Sequence, residues 1–118
     1  MDVRNVEGES YSVTYEPETT TIYFCGSLRL SGMKEYMPIV ELMNAAADGA
    51  MESRIILNLR ELEFLNSSGI GMLSKFAIGM RKRETIEILV KGDRAIAWQG
   101  KSLKNLQRLM PKLVLEFE

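Results

Sequence analysis

The stretch "ELEFLNSSGIGMLSKF", from Glu61 to Phe76, joins a predicted strand to a predicted helix. The apolar run before it, over residues 55–59, is typical of a central strand that is buried on both faces. After the turn, apolar residues return at helical spacing, at Ile70, Leu73, Ala77 and Met80, with Phe76 beside them. Asn and Ser are favoured N-caps because their short side chains accept hydrogen bonds from the free N–H groups of a first helical turn. We therefore place a strand-to-helix turn at residues 66–69.

Three glycines, Gly69, Gly71 and Gly79, lie within this predicted helix. Each lowers helix stability by about 1 kcal/mol relative to alanine. Gly69 and Gly71 flank Ile70 and leave the start of the helix open to the close approach of another backbone. A bare helix start beside two serines is typical of a docking surface. The alternative stays open at this point: the serines only cap the helix, and the glycines only permit close packing within the fold.

Two strands are predicted near the start of the chain. Apolar and polar residues alternate over residues 10–16, and β-branched and aromatic residues dominate residues 20–28. The short turn between them predicts that the two strands pair as a hairpin. Gly26 is expected to end or bulge the second strand.

A helix is predicted over residues 31–50. Ser31 is the expected N-cap, Pro38 is expected to kink or restart the helix, and Gly49 is expected to end it. The expected inward face consists of Met33, Met37, Val40, Met43, Ala46 and Ala47.

After the opening stretch, a strand is predicted over residues 85–92 and a helix over residues 93–110, with a break at Gly100. The expected inward residues of that helix are Ile96, Leu103, Leu106 and Met110. Residues 112–118 alternate as a last strand. Strands that alternate with helices favour a single α/β domain over residues 1–118. We expect a mixed sheet with an N-terminal hairpin, three to four helices packed against it, and a loosely ordered segment over residues 1–9.

The composition excludes several kinds of chemistry. The 118 residues contain one cysteine, Cys25, and no histidine. The chain by itself therefore cannot form a Ser-His-Asp triad, a Cys-His pair, an internal disulfide or a multi-cysteine metal site. We expect no enzymatic activity, no metal and no other cofactor.

Charge and hydropathy indicate the cellular setting. The 15 Lys and Arg residues are offset by 16 Asp and Glu residues, which does not favour direct nucleic-acid binding. No apolar run reaches the roughly 18 to 20 residues needed to cross a membrane. The N-terminus lacks the cationic start and apolar core of a secretory signal, and a lone cysteine suits a reducing compartment. We expect a cytoplasmic protein that does not insert into membranes.

The residues "FLNSSGIGML", from Phe64 to Leu73, resemble the signature of STAS domains, and more narrowly that of bacterial anti-sigma factor antagonists. In that family a buried strand ends in a hydrophobic pair and is followed by Asp-Ser-Ser-Gly-hydrophobic-Gly and an amphipathic helix. The strand end "IYFCGSL", over residues 22–28, and the order of the elements agree with the family over about residues 10–118.

The resemblance implies a regulatory binding protein of a partner-switching system. Ser67 takes the position of the phosphoacceptor, and Ser68 is the second choice. The implied partners are an anti-sigma factor or related GHKL-type serine kinase and a PP2C-type phosphatase that reverses the phosphorylation. The implied oligomeric state is a monomer or weak homodimer. The expected partner-binding residues are Asn66, Ser67, Ser68, Gly69, Ile70, Gly71 and Met72.

One position departs from the family pattern, because Asn66 stands where the family has aspartate. Asn caps a helix as well as Asp does, but the turn loses a negative charge beside the acceptor serine. If a kinase needs that carboxylate, the protein binds its partner constitutively or belongs to a divergent subgroup whose output is not a sigma factor. Two alternatives stay open: a STAS scaffold or ligand-binding subunit of a larger signalling complex that works without phosphorylation, and a module that binds a nucleotide or another small molecule.

Overall fold

The computed structural model describes residues 5–50, 53–83 and 85–118. Over these ranges the chain forms a mixed six-stranded sheet and three helices. The strands are β1 (Asn5–Glu7), β2 (Tyr11–Glu16), β3 (Thr21–Leu28), β4 (Arg54–Leu65), β5 (Glu87–Gly92) and β6 (Val114–Phe117). The helices are α1 (Gly32–Ala50), α2 (Ser67–Met80) and α3 (Gln99–Leu109). The predicted α/β class is confirmed.

The strands follow one another across the sheet in chain order. β1, β2 and β3 are antiparallel, whereas β3, β4, β5 and β6 are parallel. β2 and β3 form the predicted hairpin, with Val13 opposite Phe24. The N-terminal segment differs from the expectation of loose order, because β1 pairs with β2 and places Val6 opposite Val13. Residues 1–4 of that segment lie outside the described residues.

The three helices of the described chain pack side by side on one face of the sheet. α1 contacts β1, β2 and β4, α2 lies between α1 and α3, and α3 contacts β6. Right-handed crossovers between parallel strands that advance in one direction place every helix on the same side. In β4, Ile55, Leu57 and Leu59 are therefore buried, whereas Ile56 and Asn58 on the opposite face are only half-buried. The expectation that this strand is buried on both faces is wrong.

α1 is continuous from Gly32 to Ala50. The helix begins directly after Ser31, the expected N-cap. The Ser31 N–H donates to the Glu35 carboxylate at 2.8 Å, and this bond stabilises the first turn. The restart expected at Pro38 does not occur. Pro38 is exposed, so water can satisfy the backbone group that loses its partner there. Gly49 lies within the helix and does not end it.

The inward face of α1 is rotated by about one position from the expected one. Met37 is 44% exposed, so its assignment to the core is wrong, and Met33 and Val40 are half-buried. Tyr36 takes the core position instead, because its hydroxyl finds a hydrogen-bond partner in the turn after β4. The buried residues are Tyr36, Ile39, Leu42, Met43, Ala46, Ala47 and Ala50.

α3 is shorter than predicted and begins at Gln99. Residues 93–98 form turns, in which the Asp93 carboxylate accepts a hydrogen bond from the Ala95 N–H at 2.9 Å. This local bond competes with helix formation, and Ile96 is consequently only half-buried in the turn. Gly100 lies inside the helix and does not break it.

Gln99 is a fully buried polar side chain that the sequence pattern did not single out. β5 stops pairing with β4 at Asn58, which leaves the carbonyls beyond that point without a strand partner on this side. The Gln99 Nε2 donates to the Leu59 carbonyl at 2.6 Å and to the Leu62 carbonyl at 3.1 Å. Its Oε1 accepts from the Asp93 N–H at 2.8 Å. The Gln99 amide thus makes the hydrogen bonds to β4 that a longer β5 would otherwise make.

Trp98 assists at the same place, because its Nε1 donates to the Leu62 carbonyl at 2.9 Å. The indole is half-buried against the core. Trp98 thus anchors the free side of the β4 extension, since an indole N–H that leaves water needs such an acceptor.

We predict that Gln99→Met lowers the free energy of unfolding sharply. The substitution keeps the volume and removes three hydrogen bonds, and each buried group left without a partner costs about 1–3 kcal/mol. Gln107→Met is the matched control, because Gln107 makes one half-buried bond, to the Leu113 carbonyl at 2.9 Å. Urea unfolding monitored by circular dichroism measures both. Equal losses in the two variants would contradict the role of Gln99.

Candidate functional site: the turn between β4 and α2

The turn after β4 lies where two crossovers meet. β3 leads into α1 and β4 leads into α2, and the two parallel strands end at the same edge of the sheet. The Asn66 N–H donates to the Leu28 carbonyl at 3.1 Å, so the end of β3 is tied directly to the turn. The starts of both helices therefore lie at the edge where α/β sheets usually place their functional residues.

The Asn66 side chain is the N-cap of α2, and it uses both ends of its amide. Oδ1 accepts from the Gly69 N–H at 2.9 Å and from the Tyr36 hydroxyl at 2.7 Å. Nδ2 donates to the Leu30 carbonyl at 2.7 Å. The same residue thus holds the first turn of α2, a side chain of α1 and the loop between β3 and α1.

These partners explain why an amide stands here. A carboxylate could accept from Gly69 and Tyr36, but it has no proton to give to the Leu30 carbonyl. An oxygen would then face an oxygen at the 2.7 Å that now separates a donor from an acceptor. Burial raises the pKa of the Tyr36 hydroxyl above its ordinary value, so Tyr36 remains a protonated donor at neutral pH.

The two serines have different environments. Ser67 is exposed, and its hydroxyl has no hydrogen-bond partner among residues 5–50, 53–83 and 85–118. Ser68 is half-buried, and its Oγ accepts from the Gly32 N–H at 3.3 Å. The hydroxyl of Ser67 is therefore free for chemistry with another molecule, whereas that of Ser68 helps to join the starts of α1 and α2.

The two glycines at the start of α2 also differ. Gly69 is buried, and a Cβ there would lie 2.2 Å from Leu65 Cδ1 and 2.7 Å from the Tyr36 hydroxyl. Close packing within the fold accounts for Gly69. A Cβ on Gly71 would meet nothing within 4 Å. Internal packing therefore does not require glycine at position 71.

The structure reduces the expected partner surface. Met72 is 0% exposed and belongs to the core, and Gly69 is buried, so neither contributes to the accessible surface of the turn. Asn66 is occupied by its internal bonds. Four of the expected residues remain accessible, and we call them the turn surface: Ser67, Ser68, Ile70 and Gly71.

The turn surface carries no charge of its own. The first turn of α2 contains no acidic residue, and its N-terminus contributes a partial positive charge from the helix dipole. In the part of the chain that the structure describes, no group of three or more acidic or cysteine side chains could hold a metal ion. Likewise, none of the described helices is both long and apolar enough to span a membrane.

Tyr36 and the Leu30 carbonyl are the parts of this site that the sequence did not reveal. They lie 30 and 36 residues from Asn66, and no local pattern links such distant positions. The one available signal was a tyrosine within an otherwise aliphatic helix face, because a buried hydroxyl requires a partner.

We predict that Asn66→Asp destabilises the domain at neutral pH. Leaving the Leu30 carbonyl unsatisfied costs about 1–3 kcal/mol, and the gain from a charge at the helix start offsets about 0.3–1 kcal/mol of this. Asn58→Asp is the control. The Asn58 side chain accepts a hydrogen bond from the Arg60 N–H at 3.1 Å, and a carboxylate can accept the same bond. Chemical denaturation at pH 7 compares the two. An Asn66→Asp variant as stable as the parent contradicts the proposed role of the amide.

We predict opposite effects for alanine at the two glycines. Gly69→Ala forces a Cβ against Leu65 and Tyr36 and lowers the unfolding free energy by about 1–3 kcal/mol. Gly71→Ala meets open space and raises it by about 1 kcal/mol through helix propensity. Gly79→Ala, which is equally open, serves as the reference for Gly71. Thermal unfolding distinguishes them, and a loss of stability in Gly71→Ala shows that Gly71 is structural.

The fold is shared with solved bacterial structures. The chain is similar to SiaC of Pseudomonas aeruginosa, with a TM-score of 0.69 and 13% identity over 99% of this chain and 96% of that one. It is also similar to a chain in the crystal structure of the diguanylate cyclase SiaD in complex with its activator SiaC, from the same organism, with a TM-score of 0.72 and 10% identity over 98% of both chains. No protein-family model and no curated protein matches the chain. The comparison therefore establishes the fold over almost the whole chain.

Proposed function

We propose that the protein is a partner-switching regulator that binds another protein through the turn surface and releases it when Ser67 is phosphorylated. One observation carries this proposal: Ser67 is exposed at the start of α2, and its hydroxyl makes no bond within the described residues, whereas the Ser68 hydroxyl is in use. A kinase can therefore reach Ser67 without breaking any interaction that holds the turn.

The fold can accept a phosphate at this position. Phosphorylation adds a charge of about -1.5 to -2 at neutral pH. The start of α2 offers a favourable dipole, and its first turn has no carboxylate to repel the new charge. Because Asn66 is neutral, the residue beside the acceptor does not oppose the phosphate either. The modified domain stays folded.

Partner binding, in contrast, responds strongly to the phosphate. The turn surface consists of small or apolar groups, with Ile70 and Gly71 both half-buried and open space at the Cβ position of Gly71. A partner that packs on this surface would have to bury the phosphate without a counter-charge, which is costly. Binding is thus lost through charge and desolvation, and no change of fold is needed.

The resemblance of "FLNSSGIGML" to anti-sigma factor antagonists supports the kind of partner. We propose a GHKL-type kinase or anti-sigma factor as the bound protein and a PP2C-type phosphatase as the enzyme that resets Ser67. The protein acts in the cytoplasm as a monomer or weak homodimer, without catalytic activity of its own. The Leu30 carbonyl accounts for the amide at position 66, and the proposal requires a kinase that does not depend on a carboxylate beside Ser67.

A second candidate partner is a diguanylate cyclase. It is favoured by the similarity to a chain of the complex between the cyclase SiaD and its activator SiaC, which covers 98% of this chain. Under this alternative the switch at Ser67 is the same, and the output is the synthesis of a second messenger and not transcription. Binding of purified candidates of each class to the same protein decides between them.

We predict that the cognate kinase adds one phosphate, that Ser67→Ala abolishes this addition, and that Ser67→Asp weakens partner binding at least about tenfold, or roughly 1.4 kcal/mol. Intact-mass spectrometry measures the phosphate, and titration calorimetry measures the affinity.

Thr85→Asp is the matched control, since Thr85 is exposed and precedes β5, at the opposite edge of the sheet. It should leave binding unchanged. Full labelling of Ser67→Ala assigns the modification to another residue, and partners indifferent to Ser67→Asp favour the scaffold that works without phosphorylation.

A further inference from the structure

A groove runs between α1 and α2, beginning beside the start of both helices. Its volume is about 330 Å³. Both helices follow parallel strands, so they run side by side in the same direction and form two continuous walls. The residues that line it include Met33 and Val40 of α1, Lys75 and Gly79 of α2, and Arg83 just after α2.

The α2 wall is open where a side chain would fit. A Cβ on Gly79 would meet nothing within 4 Å, so this glycine is not required by packing inside the domain. Gly79 lies two helical turns after Gly71, whose Cβ position is equally empty. Two glycines that weaken α2 without any internal benefit thus lie along one side of it, from the turn surface to the far end of the groove.

The α1 wall is apolar and adaptable. Met33 and Val40 are half-buried, and Met37 is 44% exposed on the same side of the helix, four residues from Met33 and three from Val40. Methionine side chains adjust to the shape of a partner at little cost. Met37 was predicted to lie in the core but is exposed. A partner chain that covers this side of α1 would bury its side chain.

The charges along the groove have one sign. Lys75 and Arg83 line it, and no acidic residue does so among the described residues. Arg83 is paired with Asp48 at 2.5 Å, but Lys75 is exposed and forms no ion pair with a described residue. An occupant that carries an acidic side chain near Lys75 complements the groove.

The backbone N–H and C=O groups of a segment bound in the groove must hydrogen-bond to one another. The groove is bounded by two helices whose backbone groups are already bonded, so it offers only side chains and no strand edge to pair with. An extended segment would bury unpaired N–H and C=O groups there, whereas a helix would not. We propose that the groove between α1 and α2 binds an amphipathic, acidic helix of the partner protein. This inference rests on the proposed function and names the part of the partner that is recognised.

A peptide tests the groove without any knowledge of the partner. The probe is an amphipathic helical peptide of leucine, alanine and glutamate, about 18 residues or roughly 27 Å long, and its twin carries lysine at every glutamate position. Amide shifts of the isotope-labelled protein should move at residues of the groove with the glutamate peptide and stay still with the lysine peptide. Equal shifts with both peptides, or shifts confined to α3, overturn the proposal.

Variants of the groove are then tested for binding to the partner protein. The partner used is one whose affinity is lowered by Ser67→Asp. Gly79→Leu fills the groove from an open position and should weaken that partner at least tenfold, while Gly100→Leu, also open and on α3, should not. Lys75→Glu should have the same effect as Gly79→Leu, and Lys101→Glu, on exposed α3 surface, should be neutral. Thermal unfolding verifies that all four variants are folded.

The outcomes separate the two proposals. A partner whose affinity falls with Ser67→Asp but not with Gly79→Leu or Lys75→Glu supports the proposed switch at Ser67 and contradicts the proposed helix-binding groove. If no protein responds to Ser67→Asp, the proposed function fails, and the peptide shifts still decide whether the groove accepts an acidic helix.

Discussion

The Asn66 amide is the interaction on which the site depends. It follows β4 directly and hydrogen-bonds to the loop after β3, to α1 and to α2. Its oxygen accepts from two elements and its nitrogen donates to a third, so each partner fixes the others. The start of α2 is consequently placed by a side chain and not by the turn sequence alone, and the exposed hydroxyl of Ser67 takes no part in that network.

This arrangement separates stability from recognition along a single helix. The buried side of α2, with Gly69 and Met72, packs on Tyr36, Leu65 and the sheet. Its outer side combines Ser67 with the two open glycines, which add nothing to the core. A change on the outer side can therefore alter binding while the domain remains folded, and this is the property that a reversible switch requires.

Sequence patterns correctly predicted the features that neighbouring residues along the chain determine. The succession of strands and helices from residue 10 onward and the capped turn at residues 66–69 depend on periodicity and on short polar side chains, and both are confirmed. The misplaced features depend on contacts between distant residues. Tyr36 displaced Met37 from the core because of a partner 30 residues away, and Gln99 is buried because β5 stops short of the end of β4. Helical spacing contains no information about either.

The unequal lengths of β4 and β5 have a consequence for how Ser67 is presented. β4 continues for seven residues past Asn58, its last partner in β5, and this extension is held by β3 on one side and by Trp98 and Gln99 on the other. The Ser67 hydroxyl therefore stands beyond the end of the neighbouring strand, on an extension of β4 that is hydrogen-bonded on both sides. A kinase that acts on Ser67, as we propose, would meet a preset geometry, so little conformational entropy would be lost when the complex forms.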